Sequence, residues 1–118
     1  MKAFHEAICA EGMSKNMGDA VGLLEVFGLV TAFAAADAAC KAAAVTVEAF
    51  DKNKPANADD LPVPLLILVK LRGRLADVEA AMAAGEQAAN QIGGVFTQHI
   101  IPRPTGCTEK MLALNVLG

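Results

Sequence analysis

The sequence is poor in aromatic residues. Only 4% of its 118 residues are aromatic, neither tryptophan nor tyrosine occurs, and alanine alone fills about a fifth of the positions. Although 54% of the residues are hydrophobic, much of that apolar content is small side chains, which bury little area per residue. We expect one domain, because the chain is too short for two, and we expect partner subunits to supply part of its stability.

The cysteines are few and far apart. Cys9, Cys40 and Cys107 are an odd number, and no CxxC pair or Cys/His cluster has the spacing of metal ligands. The sequence therefore predicts free thiols in a reducing compartment, with no metal site and no other cofactor. Cys40 falls in an alanine-rich segment, where we expect a small core residue. Cys107 follows Gly106 in the tail, where we expect an exposed thiol.

Long apolar runs and a strong basic excess are also missing. No run approaches the ~18 residues that span a bilayer, and residues 1–10 lack the long apolar segment of a secretory signal. We therefore expect a cytosolic protein without a membrane partner. The net charge is −3. The densest basic stretch is Lys70, Arg72 and Arg74, which is too little to indicate a nucleic-acid partner.

Hydrophobic periodicity predicts the element order β-α-β-loop-β-α-β. The predicted elements are strands at 20–30, 45–50, 65–71 and 95–101, helices at 31–44 and 75–92, and a short helical piece at each terminus. Two helices of this length cover only one face of a four-stranded sheet. The predicted fold class is therefore α+β, a ferredoxin-like four-stranded antiparallel sheet with both main helices on one face. The other face is left available for association.

Residues 51–64 form the long loop of this prediction. The segment contains three prolines, two asparagines and three aspartates, which are typical of turns and loops. Its length is typical of loops that have a function or are mobile. We predict an N-terminal extension at 1–19, a domain at 20–105 with an insertion at 51–64, and a C-terminal tail at 106–118.

Candidates for catalysis are few. His99 lies in the last predicted strand with no acidic neighbour in sequence, as expected for a structural or exposed histidine. Asp59 and Asp60 form a carboxylate pair, but their proline-rich loop is solvated and offers no dry pocket in which such a pair works as acid and base. No phosphate-cradling glycine loop and no serine in a nucleophile-elbow sequence occurs. We predict that the protein is not an enzyme and has no catalytic residue.

Five short motifs, in the same order, resemble those of the bacterial microcompartment shell-protein domain. Together they cover roughly residues 20–104, and the ferredoxin-like fold of that family agrees with the fold class predicted from periodicity. The matching segments are 22–25 (GLLE), 35–41 (AADAACK), 72–73 (RG), 84–89 (AGEQAA) and 99–104 (HIIPRP).

The resemblance implies a structural function. Members of this family form cyclic hexamers that tile edge to edge into a shell around metabolic enzymes, and a pore on the sixfold axis conducts small metabolites. For this chain the resemblance implies a homohexamer with other shell proteins and enclosed enzymes as partners. It also implies small metabolites as permeants and a location in a microcompartment shell within the bacterial cytoplasm.

The resemblance implies roles for particular residues as well. Lys41 corresponds to the family's edge lysine, whose ammonium donates to backbone carbonyls of the facing hexamer, and Arg103 corresponds to the arginine that frames that pocket. The family's short glycine-rich pore loop is replaced here by the long segment 51–64. Its pore-loop candidates are Lys52, Asn53, Lys54, Asn57, Asp59 and Asp60. Three placements of the segment remain open: it lines the pore, it caps the pore, or it lies away from the axis.

Two other functions stay open from the sequence. Some members of the family hold an iron–sulfur cluster at the axis through cysteines of the pore loop. Such a chain would be an electron-transfer or metal-binding shell variant, although residues 50–65 contain no cysteine here. The other alternative is a small-molecule-binding regulator of ferredoxin-like fold, a dimer or trimer that would use the segment 51–64 as its effector loop.

Overall fold

The computed structural model describes residues 19–114, whose elements follow the predicted order. The strands are β1 (Ala20–Phe27), β2 (Thr46–Asn53), β3 (Leu66–Gly73) and β4 (Val95–Ile101). The helices are α1 (Leu29–Ala42), α2 (Leu75–Asn90) and the short α3 (Gly106–Leu112), and one turn of 3-10 helix covers Ala58–Asp60. The short helical piece predicted at the N-terminus lies outside the described residues, as does Cys9.

The four strands form one antiparallel sheet in the order β2-β3-β1-β4. β1 is central, because it pairs with β3 on one side and with β4 on the other, and β2 is the outer neighbour of β3. α1 connects β1 to β2, and α2 connects β3 to β4. This is the ferredoxin-like arrangement, and the predicted fold class is confirmed, including a short helix in the tail.

β2 extends past the strand that the sequence predicts. Its last three residues pair with the first residues of β3, so the strand runs beyond its expected end at residue 50. Lys52 and Asn53, expected in the loop, are therefore strand residues, and the loop itself occupies residues 54–65. Apolar partners on β3 extend the ladder although the local sequence of β2 is polar, because strand propensity depends strongly on the neighbouring strand.

The main core lies between α1, α2 and one face of the sheet. Most residues on its helical side are small, namely Ala32, Ala35, Ala36 and Ala39 on α1 and Ala81, Gly85 and Ala89 on α2. At Gly85 the helices are close, because a Cβ there would lie 3.3 Å from the carbonyl oxygen of Ala35. Val78 and Met82 fill the space above Gly22 of β1. Alanine and glycine thus let the two helices pack at short range.

The second face of the sheet is not left bare. Side chains alternate along a strand, so Val69 and Leu71 of β3 belong to the helical core while Lys70 and Arg72 point to the other face. α3 lies over that face, since its Glu109 contacts Arg72 and its last carbonyl oxygen accepts from Lys70. The expectation that this whole face is available for association is wrong where α3 covers it.

Cys40 is exposed, so the prediction of a core residue is wrong. The buried stripe of α1 includes Ala39, and each further residue is turned by about 100° around the helix axis, which carries Cys40 to the outer side. Alanines surround Cys40 in sequence, so the local composition does not distinguish the buried side of this helix. Cys107 is exposed as expected.

Gly93, in the turn between α2 and β4, packs against the end of β1 and the first turn of α1. Its amide donates to the Thr31 hydroxyl at 3.1 Å, and a Cβ at Gly93 would lie 2.4 Å from the carbonyl oxygen of Phe27. That oxygen belongs to the backbone and cannot rotate away. We expect Gly93→Ala to lower the free energy of unfolding by about 1–3 kcal/mol, the usual cost of overpacking, as measured by urea unfolding.

Gly106→Ala is the matched control for this prediction. Nothing lies within 4 Å of a Cβ built at Gly106. We therefore expect this variant to unfold at the same urea concentration as the parent protein. Equal stability of the two variants would contradict the packing described for Gly93.

Candidate functional site

Lys41 lies in the last turn of α1, and its side chain is 75% exposed. Its ammonium is 2.7 Å from the carboxylate of Asp37, one turn earlier in the helix. The hydrogen bond to Asp37 and the charge of that carboxylate raise the pKa of Lys41. A cation near the carbonyl end of a helix also interacts favourably with the helix dipole. Lys41 is therefore a charged group held on an outer surface.

Arg103 is exposed in the segment between β4 and α3, and it lies at the same end of the sheet as Lys41. The pairing register shows this, because Thr46, the first residue of β2, aligns across the sheet with Ile101 at the end of β4. α1 ends shortly before Thr46, and Arg103 follows Ile101 by two residues. We call this the Lys41 end of the sheet.

The loop 54–65 leaves the opposite end of the sheet. Asn53 and Leu66, which flank it, pair with each other, and Leu66 also pairs with Phe27 at the end of β1. β1, β2 and β3 each have 8 residues, which at about 3.3 Å per residue separates the two ends by roughly 23 Å. The structure therefore places the predicted loop residues at one end and the predicted edge residues at the other.

The polar residues of the loop 54–65 are turned to solvent. Lys54, Asn57, Asp59 and Asp60 are exposed, as expected for a solvated carboxylate pair, while Ala58 is buried. The amide of Asp60 donates to the carbonyl oxygen of Asn57 at 2.9 Å, which closes the turn that carries both aspartates. Lys52 and Asn53 are exposed on the last residues of β2. The loop thus presents one lysine and two aspartates.

A buried cluster of charges on the second face of the sheet goes beyond the residues predicted from sequence. The Lys70 ammonium is 2.6 Å from the carboxylate of Asp51 in β2, and it donates to the carbonyl oxygens of Leu112 and Leu114 at 2.9 and 2.7 Å. The side chain of Lys70 is only 3% exposed. Each of its three ammonium protons thus has an acceptor.

Arg72, two residues further along the same face, forms the second part of the cluster. Its Nη2 donates to both carboxylate oxygens of Glu109, at 2.7 and 2.6 Å. A β-bulge between Val47 and Ala49 places Glu48 on the same side, with its Oε1 3.8 Å from Nε of Arg72. Burial raises the pKa of Glu48 against the opposing effect of the Arg72 charge. The two cations of β3 are therefore matched by acids from β2 and α3.

The sequence contains part of the signal for this cluster. Lys70 and Arg72 interrupt the apolar run of β3 with a spacing of two, which puts both on one face of a strand. A strand with neighbours on both sides holds charges only if they are paired. The partners come from residues 48, 51 and 109, and sequence spacing does not identify them. Because Lys70 and Arg72 are buried in ion pairs, they form no basic surface.

The described residues do not form a metal centre. Between residues 19 and 114, no three histidine, cysteine, aspartate or glutamate side chains come together as they would around an ion. Cys40 and Cys107 are free, exposed thiols. Over the same residues, no helix is both long enough and apolar enough to cross a membrane.

A cleft of about 400 Å³ opens at the Lys41 end of the sheet, beside Ala44 and Gly73. Its charged walls include Glu48 and Arg72, and both belong to the buried cluster. Glu48 and Arg72 are therefore already engaged within the protein, and Asp19 is the remaining charged residue of the lining. The regulator alternative gains no support from this cleft.

The fold and these charged groups define an α+β domain of the ferredoxin-like class, with the charged residues predicted from the motifs and the loop at the two ends of the sheet. A family model described as the BMC domain matches residues 20–104. The chain belongs to the BMC-domain family, the family of bacterial microcompartment shell proteins.

Curated relatives agree with this assignment. The chain is 37% identical over 98 residues to the bacterial microcompartment shell protein PduA of Citrobacter freundii, with 83% of this chain and 96% of PduA covered. It is 36% identical over 97 residues to the carboxysome shell protein CcmK3 of Halothece sp. PCC 7418, with 80% and 86% covered. It is 33% identical over 100 residues to the bacterial microcompartment shell protein EutM of Escherichia coli K12, with 85% and 94% covered.

Solved structures include the same fold. A crystal structure described as a microcompartments protein from Desulfitobacterium hafniense DCB matches with a TM-score of 0.61 and 26% identity, over 83% of this chain and 48% of the other. The chain therefore spans about half the length of that structural neighbour. The family resemblance inferred from the motifs is confirmed, and the iron–sulfur and regulator alternatives gain no support.

Glu109 is the acid whose removal tests the buried cluster. Glu109→Ala leaves the Arg72 guanidinium inside the protein without the carboxylate that it contacts most closely. We expect the free energy of unfolding to fall by about 3 kcal/mol, the order found when one partner of a buried ion pair is removed. Chemical unfolding followed by circular dichroism measures this loss.

Asp37→Asn is the control for the buried pair. Asp37 belongs to the exposed pair with Lys41, which solvent screens, so we expect no measurable loss of stability. A loss as large as that of Glu109→Ala would contradict the distinction between the two pairs.

Proposed function

We propose that this chain forms hexameric tiles of a bacterial microcompartment shell, with other shell proteins and enclosed enzymes as partners. In this proposal the tiles join edge to edge through Lys41 and Arg103, and small metabolites pass a pore framed by the loop 54–65. Besides family membership, one observation supports this proposal: the candidate edge residues and the candidate pore loop lie at opposite ends of the sheet. A tile needs this separation, because its hole is central and its joints are at the rim.

Apolar side chains on the surface of α1 support assembly into rings. Leu29, Val30 and Phe33 lie on the first turns of the helix and are exposed, Phe33 to 61%. Phe33 meets Phe50 of β2 edge-on, with ring centroids 5.1 Å apart, so an aromatic pair bridges helix and sheet at this surface. A grouped exposed apolar set is typical of a contact with another protein. In a closed ring, such a contact repeats between unlike surfaces of neighbouring protomers.

Lys41 has the properties that an edge joint needs. Its exposed ammonium has three donors and no acceptor, so it can donate to backbone carbonyls of a facing tile instead of meeting its symmetry-related copy. Its aliphatic stem is available to cover apolar surface of a facing tile. Two tiles that meet about a two-fold axis present each contact residue twice, so one lysine per protomer serves both sides of every joint.

The loop 54–65 gives the proposed pore an acidic rim. Each copy contributes the exposed residues Lys54, Asp59 and Asp60 and therefore one net negative charge. Rings of acidic side chains favour cations over anions. Lys52 and Asn53 form the stem of the loop at the end of β2, and Asn57 is exposed on its turn. The proposed pore thus disfavours anionic metabolites.

Lys41→Glu tests the joint separately from the ring. A carboxylate removes the donors and adds like charges across the two-fold contact, so we expect purified protein to keep the mass of a hexamer but to form no sheets or tubes. Native mass spectrometry measures the first property and negative-stain electron microscopy the second. Lys110→Glu, at an exposed lysine of α3, is the matched control and should still form sheets. Sheets in the Lys41 variant, or a monomeric parent protein, would refute this proposal.

The double change Asp59→Asn, Asp60→Asn tests the pore loop. Each loop then keeps only the positive charge of Lys54, so we expect the reversal potential of hexamers in a planar bilayer under a salt gradient to shift toward anion selectivity. Glu79→Gln, at an exposed acid of α2, is the control and should leave the reversal potential unchanged. A double variant that behaves like this control would show that the loop does not line the pore.

A further inference from the structure

Lys70 joins two segments that are far apart in the sequence. On one side of its ammonium lies the carboxylate of Asp51, at 2.6 Å. On the other side lie the carbonyl oxygens of Leu112 and Leu114, at 2.9 and 2.7 Å. The lysine side chain is buried between them. One charged group is thus shared by β2 and by the C-terminal end of α3.

The position of Asp51 makes this contact relevant to the loop 54–65. Asp51 pairs with Leu68 in the sheet, two residues before Asn53, the last residue of β2. The loop begins at the next residue and returns to the sheet at Leu66. Asp51 is therefore part of the stem of the loop. A movement of this stem away from Lys70 separates two opposite charges, one of which is buried.

The contact between Lys70 and the C-terminal end of α3 stabilises this short helix. Leu112 is the last residue of α3, and carbonyl groups at a helix C-terminus lack partners within the helix and carry the negative end of its dipole. The Lys70 ammonium supplies both the missing donors and the opposite charge. Because α3 has only 7 residues, it is too short to be stable alone, and its order depends on such contacts.

The acceptors of Lys70 depend on one another. If the end of α3 detaches, the ammonium becomes hydrated, and its attraction for Asp51 falls toward the small value of an exposed pair. If the stem of the loop moves away, the ammonium loses its carboxylate, and holding the charge under α3 becomes less favourable. Loosening on either side therefore weakens the contact on the other.

We propose that Lys70 is a positioning residue that couples the loop 54–65 to the C-terminal end of α3, so that the two segments are ordered together and loosen together. The coupling depends only on contacts within one protomer. Its consequence for permeation rests in addition on the proposed function: a change at the end of α3 would alter the order of the pore loop.

Hydrogen–deuterium exchange of the full-length protein tests the coupling. Lys70→Met keeps an unbranched side chain but removes the charge. In this variant we expect the amides of residues 54–65 and of 106–114 to exchange about tenfold faster or more, because local opening no longer breaks a charge-assisted contact. Asp51→Asn changes only the stem side, and we expect the amides of 106–114 to exchange faster there too. The amides of β1 are the internal reference and should keep their rates.

Lys110→Met is the matched control, because Lys110 is an exposed lysine on α3, and it should leave the rates of both segments unchanged. The coupling is refuted if Lys70→Met accelerates exchange in α3 but not in the loop, or accelerates β1 equally. It is also refuted if Asp51→Asn leaves the exchange rates of residues 106–114 unchanged. If Lys70→Met does not fold, the Asp51→Asn result is the test of the coupling. Amide exchange reports on contacts within a protomer, whatever that protomer assembles into. Refutation of the coupling would therefore not refute the shell function, which the electron microscopy and bilayer experiments test separately.

Discussion

Two cations are buried on the same face of β3, and their need for acceptors determines how β2 and α3 lie against that strand. An ammonium or a guanidinium leaves water only if charges and hydrogen bonds replace its hydration, since the penalty is otherwise several kcal/mol per ion. β2 supplies Asp51 to Lys70 and, through a bulge, Glu48 to Arg72. α3 supplies Glu109 and the carbonyl groups at its end. The place of the short helix therefore follows from electrostatics more than from its own propensity.

The opposite face of the sheet is governed by small side chains. Alanines on α1 and Gly85 on α2 bring the two helices close, which gives dense packing but little buried area per residue. Larger apolar groups such as Val30 and Phe33 remain on the outer side of α1. A protein built in this way gains from neighbours that cover its surface, as a shell tile does, and it does not need a deep pocket.

The antiparallel sheet also separates the two regions to which the proposed function assigns the joint and the pore. The connection from β2 to β3 lies at one end, whereas the end of α1 and the segment after β4 lie at the other. A long insertion at the tip of a strand pair is tolerated when it does not disturb the paired strands. The loop 54–65 can therefore vary in length and charge without moving Lys41 and Arg103, which lie at the other end of the sheet.

Periodicity and composition were sufficient for the element order and the fold class, because alternation and helical spacing are local properties that the sheet and helices retain. They were insufficient for Cys40, since an alanine-rich helix has no strongly apolar side, and for the end of β2, where pairing with β3 overrides a polar sequence. The exposure of Asp59 and Asp60 was predictable from the proline-rich loop around them.

The sequence by itself determined the order of strands and helices, the family motifs and the presence of two cations on one face of β3. Only the tertiary structure decided what those cations bind. Their partners in and just after α3 are 37 to 44 residues away along the chain. Strand register, a bulge and the docking of a short helix bring those groups within hydrogen-bonding distance, and none of these three is a local property of the chain.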